Sequence, residues 1–432
     1  MILHPHLEVN KEGHLTIGGL DTVALARKFG TPAYIMDEDV IRAQCRTYLA
    51  ACRRHFGADA LPAFASKALS FTEIYRIMAD EGMGIDCVSG GELYIASKAG
   101  FPAARIYFHG NNKTERDLND ALDMGVGTIV VDNEDELAML GALATARGIT
   151  QKILLRITPG IDPHTHRAIQ TGNVDSKFGN AIQTGQAMHI TRAALATDGV
   201  ALLGFHCHIG SQIFEISPFL EAADIMMHFI AEVKAETGFE ATTLNLGGGL
   251  GVRYTDEDPV IDYDAAIAGI ADAVHKAAKK VDVTVPRIIL EPGRSIVAAA
   301  GITLYTVGGV KEIPGFKNYI SIDGGMPDNP RYALYQSVYT AVIADRASAP
   351  ADYRATLAGR CCESGDLIGE DMPIQRAKQG DVLAVLTTGA YNYAMASNYN
   401  RLPRPPIILV KDGKARVAVR RESYEDLVRN DL

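Results

Sequence analysis

The feature that most limits how this chain can fold is a repeat. Short apolar runs of strand character alternate with helical segments through most of the sequence before Arg294. The runs are Ala63–Ser66, Gly84–Val88, Ile106–His109, Thr128–Val131, Ile153–Ile157, Leu202–His208, Thr243–Leu246 and Ile288–Leu290. Amphipathic stretches such as EIYRIMADEG, GELYIASKAG and TERDLNDALDMG fill the first gaps, and the early runs begin a little over 20 residues apart. That spacing marks successive right-handed βαβ units. Eight such units close into a (β/α)8 barrel of TIM type, an α/β fold with its functional groups at the C-terminal ends of the strands. An open doubly wound sheet would want a glycine-rich turn after its first strand, and none is present.

After Arg294 the pattern changes. Ile302–Val310, Tyr319–Ile322, Ala355–Ala358, Asp381–Leu386, Ile407–Lys411 and Ala415–Arg420 read as strands, and KDGK at Lys411–Lys414 reads as a hairpin turn. The expected organisation is a barrel over residues 34–295 and an all-β domain over 296–432, with residues 1–33 packing beside the latter. That first segment carries a strand at His14–Ile17 and an amphipathic helix in LDTVALARKFGTP; Ala33–Met36 is strand-like and Glu38–Phe56 helical. The largest insertion, TPGIDPHTHRAIQTGNVDSKFG, follows the fifth barrel strand, where long loops are commonly functional or disordered.

Composition narrows the partners. With 432 residues, 47% hydrophobic and 22% charged, the chain has ample material for two soluble domains. A net charge of -10 argues against nucleic acid or an anionic membrane, yet leaves room for an anionic substrate in a local basic pocket. The amino terminus has no basic stretch followed by an apolar run, and no apolar stretch approaches membrane-spanning length, so a cytoplasmic protein is expected. Six cysteines form no CxxC pair, and Cys361 and Cys362 are adjacent, which points to free thiols. His-x-His occurs at His4/His6, His164/His166 and His206/His208 without carboxylates or cysteines at metal-ligand spacing, so no metal site is expected.

The chemistry gathers at strand ends. In LPAFASKALS, Ala63, Ala65 and Lys67 share one face of an extended strand, and a lysine desolvated there becomes an amine able to form a Schiff base. In LLGFHCHIGSQ, His206 and His208 share the other parity from Phe205, Cys207 and Ile209, and Gly210-Ser211 opens a loop suited to an oxyanion. Gly247, Gly248 and Gly249 after the seventh strand can wrap backbone N–H groups round a phosphate. Glu291-Pro292-Gly293-Arg294 ends the eighth. A lysine, an imidazole, a phosphate cradle and a buried carboxylate together describe a pyridoxal 5′-phosphate site. The glutamate would keep the pyridine nitrogen protonated, which makes the ring a better electron sink. In the second domain a Cys beside a Glu, Cys362-Glu363, lies in a glycine-flanked loop, and Arg331 and Tyr335 sit one helical turn apart.

The ordered set FASKALS, DCVSGGE, FHCHIGSQ, LNLGGGLG, EPGRS, DNPRYALY, CCESGD and GAYNYAMASNYN spans nearly the whole chain. It resembles the barrel-type pyridoxal phosphate decarboxylases of basic amino acids, and HIGSQ, CESGD and the ASNYN tail are similar to their diaminopimelate branch. The resemblance implies decarboxylation of meso-2,6-diaminopimelate to L-lysine and carbon dioxide, the last step of lysine biosynthesis. It implies that Lys67 is the Schiff-base residue, that His208 rather than His206 stacks on the cofactor ring, and that Glu291 faces the ring nitrogen. Asp86 lies in the cofactor motif DCVSGGE. Ser211, Gly249 and Tyr391 would contact the phosphate, with Gly293 and Arg294 close by. Arg294, Arg331, Tyr335 and Tyr391 would hold the substrate, Glu363 would read its distal ammonium, and Cys362 would donate the proton. A homodimer with active sites shared between subunits is implied as well. Cys361 before the motif cysteine and Ala394 and Ala396 in place of serines depart from the usual pattern. Decarboxylation of another basic amino acid (arginine, carboxynorspermidine, D-ornithine or D-lysine), an amino-acid racemase and a silent regulatory homologue are the rival readings.

Overall fold

The computed structural model describes residues 4–161 and 176–432. The segment with His164 and His166 lies outside the described residues. The chain divides into two compact units, one of Gln44–Gly251 with Ile261–Gly293, the other of Met1–Ala43, Val252–Val260 and Arg294–Leu432.

The first unit is a closed parallel barrel. Its strands are Leu61–Ala65, Gly84–Cys87, Ile106–Phe108, Thr128–Val131, Gln151–Thr158, Val200–His206, Thr243–Asn245 and Arg287–Leu290, each paired in parallel with the next. Ile289 and Leu290 pair with Leu61 and Pro62, which closes the ring. Alternation sorts the side chains. Ala63, Tyr107, Val130, Leu154 and Ile289 form one buried cluster, whereas Phe205 packs edge-on against Phe229 of the helix Ser217–Thr237, ring centres 5.1 Å apart. Helix ends are chemically marked. Ser89 and Asn133 accept bonds from the N–H groups three residues on, Thr114 and Asp117 cap each other, and Gly82, Gly100 and Gly125 end their helices in the left-handed region. Gly204 marks a register shift against the fifth strand; its φ is 150°, and a β-carbon there would lie 1.9 Å from the Thr243 carbonyl oxygen.

A buried ion pair pins the mouth between the third and fourth strands. Lys113 Nζ donates to Glu136 Oε1 at 2.7 Å, to the Val130 carbonyl at 2.7 Å and to the Gly110 carbonyl at 2.8 Å. Their side chains are 1% and 3% exposed. Burial favours the neutral form of each, and each partner's charge works against that. Lys113→Met strands a buried carboxylate and is expected to cost about 3–5 kcal/mol. The check is the urea midpoint, which the double variant Lys113→Met/Glu136→Leu should largely restore; an unmoved midpoint in the single variant would sink the argument.

The second unit is built on a mixed sheet. Its strands run Leu367–Ile374, Tyr353–Ala358, Lys317–Ile322, Gly301–Ile313, Ala33–Asp37, Ile407–Lys411 and Lys414–Val419 in spatial order, and Val382–Val385 bridges Gly301–Ile313 and Ala341–Ile343. A small meander of Leu7–Val9, Leu15–Ile17 and Leu20–Asp21 adds to it. Leu15, Ile17, Leu25, Ile35, Ile302, Leu304, Leu386, Ile408 and Val410 form its core. The hairpin at Lys411–Lys414 turns through Asp412 and Gly413, both at positive φ.

Two expectations need correction. Residue 34 does not open the barrel. Ala33–Asp37 pairs antiparallel with Gly301–Leu304 and parallel with Ile407–Val410, so residues 1–43 belong to the second unit, as do Val252–Val260 and Arg294–Ser295. Its five residues are all buried, and a strand with neighbours on both edges satisfies every backbone group there. The strands Leu7–Val9, Ala341–Ile343 and Leu367–Ile374 also escaped the pattern. LIGEDMPI carries Gly369, Glu370, Asp371 and Pro373, tolerated because it pairs on one side only, with two register shifts.

Candidate active site

The barrel brings its charged and polar side chains together at the C-terminal ends of the strands. Lys67 is there, though differently from the alternation argument. The first strand stops at Ala65, and Lys67 lies in a 3-10 turn, Ser66–Ala68, with its side chain exposed rather than desolvated. Its positive charge still acts on Asp86 and His208.

Glu291, just past the eighth strand, is the centre of the group. Asn245 Nδ2 donates to its Oε1 at 2.6 Å, His206 Nε2 lies 3.1 Å from Oε2, and His109 Nε2 lies 2.7 Å from Oε1. Burial alone would push this carboxyl up, but the two imidazoles outweigh it and hold Glu291 well below the usual carboxylate range. Asp86, on the second strand, shows the reverse: burial raises its pKa to about 6 against the pull of His109. Burial brings His206 down to about 4 despite Glu291, and takes His208 well below the ordinary histidine value. Both rings are therefore neutral at pH 7. The two rings and the carboxylate are in direct contact, 2.7 and 3.1 Å apart, all three buried.

The glycine turn is tied to this group. Gly247 N donates to Asn245 Oδ1 at 2.9 Å, Glu291 N to the Gly247 carbonyl at 2.7 Å, and Gly248 N to His208 Nδ1 at 3.3 Å. A β-carbon on Gly248 would fall 2.0 Å from the Glu291 carbonyl oxygen, so the close approach requires glycine. Ile213 and Gly249 bond at 3.0 Å, which joins the loop carrying Ser211 to the glycine turn. Gly293 packs where a β-carbon would sit 2.9 Å from that of Ala65.

The second unit holds its own cluster. Arg294 Nη1 donates to Tyr254 Oη at 2.7 Å, and Arg331 Nη1 reaches Tyr254 Oη at 3.3 Å and Tyr339 Oη at 3.1 Å. Burial would raise the Tyr254 phenol, but the two guanidiniums bring it below its ordinary value. Both arginines also face the Tyr391 ring, 4.8 and 5.9 Å from its centre. Arg331 and Tyr335 open and close the five-residue helix Arg331–Tyr335, Arg331 buried and Tyr335 half-buried. In the Cys-Glu loop the two thiols separate. Cys361 is buried and its thiol pushed up to about 12 by burial and by Asp366, whereas Cys362 and Glu363 are exposed. Asp366 Oδ2 accepts from Cys361 N at 2.7 Å, and Asn400 Oδ1 from Cys362 N at 2.7 Å.

His109, Arg156, Asn245 and Tyr254 were missed by sequence reasoning. His109, Arg156 and Asn245 end or follow barrel strands, and a search for polar residues at those ends would have found them. Tyr254 has no such signal; only folding brings it to the arginines.

Comparison with known proteins gives the same picture from outside. The family described as "Pyridoxal-dependent decarboxylase, pyridoxal binding domain" matches residues 39–298. Diaminopimelate decarboxylase of Bacillus subtilis is 46% identical, covering 100% of this chain and 98% of its own length. A crystal structure of diaminopimelate decarboxylase from M. jannaschii in co-complex with L-lysine is 36% identical, with a TM-score of 0.91 over 99% of this chain and 98% of that one. The lysine/ornithine decarboxylase of Vibrio vulnificus complexed with putrescine is more distant, at 26% identity and a TM-score of 0.77 over 90% of this chain and 97% of that one. Identity at this level along both units places the match well beyond a shared barrel: the chain belongs to the diaminopimelate decarboxylase family of pyridoxal-dependent decarboxylases.

Proposed function

We propose that the chain decarboxylates meso-2,6-diaminopimelate to L-lysine and carbon dioxide with pyridoxal 5′-phosphate as cofactor. The observation that carries the cofactor reading is Glu291, a buried carboxylate kept charged against the glycine turn, at the same strand ends that carry Lys67. The residues suit the group. Asp86 Oδ1 is buried with no hydrogen-bond partner, and Glu291 can pair with a protonated ring nitrogen. Bound there, pyridoxal phosphate supplies the electron sink for the pair left on carbon when the carboxylate departs.

The chain's own groups divide the remaining work. Lys67 offers an accessible amine as covalent anchor. His208 would lie against the ring face, and Ser211, Gly249, Gly293, Arg294 and Tyr391 would hold the phosphate, while the N–H groups of Gly247 and Gly248 already donate to Asn245 and His208 and support the turn from behind. Arg294, Arg331, Tyr335 and Tyr391 hold the substrate, where a guanidinium fork matches a carboxylate in shape and charge. Glu363 reads the distal ammonium. Cys362 gives a proton to the carbon that loses carbon dioxide, so one proton is consumed per turnover. Sharing of this loop between the two subunits of a homodimer is part of the same reading. No described helix is long and apolar enough to cross a membrane; the cytoplasm is the proposed setting.

The test mixes purified protein, pyridoxal phosphate and meso-diaminopimelate, follows carbon dioxide and identifies the amino acid formed. L-lysine is the expected product. Bound cofactor with no lysine, but turnover of ornithine or arginine, would overturn the substrate assignment.

A further inference from the structure

Two imidazoles in the barrel mouth have no task in this reading. His109 and His206 come from the ends of different strands, and their rings meet edge to face with centres 4.7 Å apart. Each brings its Nε2 close to a different oxygen of Glu291, 2.7 and 3.1 Å away; the His206 contact has hydrogen-bond geometry, whereas His109 makes a close charge contact that is not aligned as a hydrogen bond. Asn245 adds a second hydrogen-bond donor, and its orientation is fixed from behind because its Oδ1 accepts from Gly247 N. His206 Nδ1 is buried with no partner, so the proton of the neutral ring belongs on Nε2, where it points at the carboxylate. A carboxylate has about four lone-pair sites, and here the protein's own groups approach both oxygens, Asn245 and His109 at Oε1 and His206 at Oε2. A protonated carboxyl would set its own hydrogen against those donors. His109 is itself anchored: its backbone N donates to the Cys87 carbonyl at 2.7 Å, and Lys113 clamps the carbonyl of Gly110, the next residue.

Other charges face the pair from the surrounding strand ends. Asp86 Oδ1 lies 3.9 Å from His109 Nε2, and Lys67, Tyr107, Asp132, Arg156 and His208 all act on members of the group. The two imidazoles and Asn245 lie within 3.1 Å of the Glu291 carboxylate oxygens.

We propose that His109 and His206 are positioning residues for Glu291, fixing the direction of its carboxylate and keeping it charged, and so setting the protonation of the cofactor's ring nitrogen through it. The proposal rests on the cofactor reading above but not on the identity of the substrate. Neither imidazole need touch cofactor or substrate for it to hold.

The experiment uses the holoenzyme of wild type, His109→Phe, His206→Phe and His109→Gln. The Phe variants keep ring bulk and lose the donor, while Gln keeps a donor that cannot titrate. Without substrate, the pH dependence of the visible band of bound pyridoxal phosphate is recorded; with substrate, kcat and KM are separated. The Phe variants are expected to shift the midpoint of the band by about one pH unit or more. They should also lower kcat by about 10–100-fold, the scale for losing a group that orients a functional ligand, with little change in KM. The Gln variant should recover most of kcat. Folded variants with full cofactor content, an unmoved midpoint and unchanged kcat would overturn the proposal. Should the Phe variants fail to fold, His109→Asn, polar but too short to reach Glu291, carries the same readout. A shifted midpoint in a protein that makes no lysine would support the proposal and remove only the substrate assignment.

Discussion

Lys67→Ala is expected to slow lysine formation by about 10⁴-fold or more, the order seen when the group that carries covalent catalysis is deleted. Folding should be untouched. Lys67 is exposed in its turn, and surface substitutions of that kind stay within about 0.5 kcal/mol, so the urea midpoint should match wild type. Borohydride should fix pyridoxal phosphate to the wild-type chain and leave it removable from the variant. Lys113 cannot take over the role, because its ammonium is committed to Glu136 and two backbone carbonyls. A variant that keeps more than a small share of its rate, or that borohydride still labels, would place the anchor elsewhere.

Cys362→Ala should lower kcat by roughly 10²–10⁴-fold, the span for a lost general acid. Cys361→Ala should not. The two adjacent thiols differ in the one respect that matters for proton donation to a bound molecule: Cys362 is exposed, whereas Cys361 is buried against Asp366. Mass spectrometry after thiol alkylation of the native protein should find the label on Cys362 alone of the pair. The same variant tests the shared dimer. Lys67→Ala and Cys362→Ala are each nearly inactive, but in a two-fold dimer with shared sites, random mixing gives half hybrids with one intact site, about a quarter of wild-type activity. No recovery in a mixture proven to contain hybrids would show that each subunit uses its own cysteine.

Local signals explain what was legible before the structure. Apolar runs such as TIVV and RIIL mark barrel strands because both faces of a parallel strand are covered, and three consecutive glycines have few uses besides close backbone approach. Lys67, Glu291 and the glycine turn could be found because each sits in a short motif. His109 was hidden because its meaning comes from Glu291, far along the chain, and HGNNK alone looks like a loop. The strand Leu367–Ile374 was hidden because edge strands tolerate the polar residues and proline that elsewhere argue against strand. Lys67 itself was placed in the right region by a wrong step. Alternation ends at Ala65, and the 3-10 turn, closed by Leu69 N on the Ser66 carbonyl at 3.0 Å, sets where the amine points.

The central place of Ala33–Asp37 in the second sheet has a consequence for how the protein is made. This strand is synthesised before every barrel strand, yet its two sheet neighbours are Gly301–Ile313 and Ile407–Lys411, both after the barrel. At about 5–20 residues per second, the roughly 370 residues separating it from its second neighbour take about 20 to 70 s to appear. For the last third or so of that interval every barrel strand is already in existence, while the five residues destined for full burial still lack a sheet neighbour. A nascent chain that stalls after the barrel therefore presents an open apolar strand of the kind that recruits other chains. The vulnerable period of this molecule's life falls between completion of its barrel and arrival of the strand Ile407–Lys411.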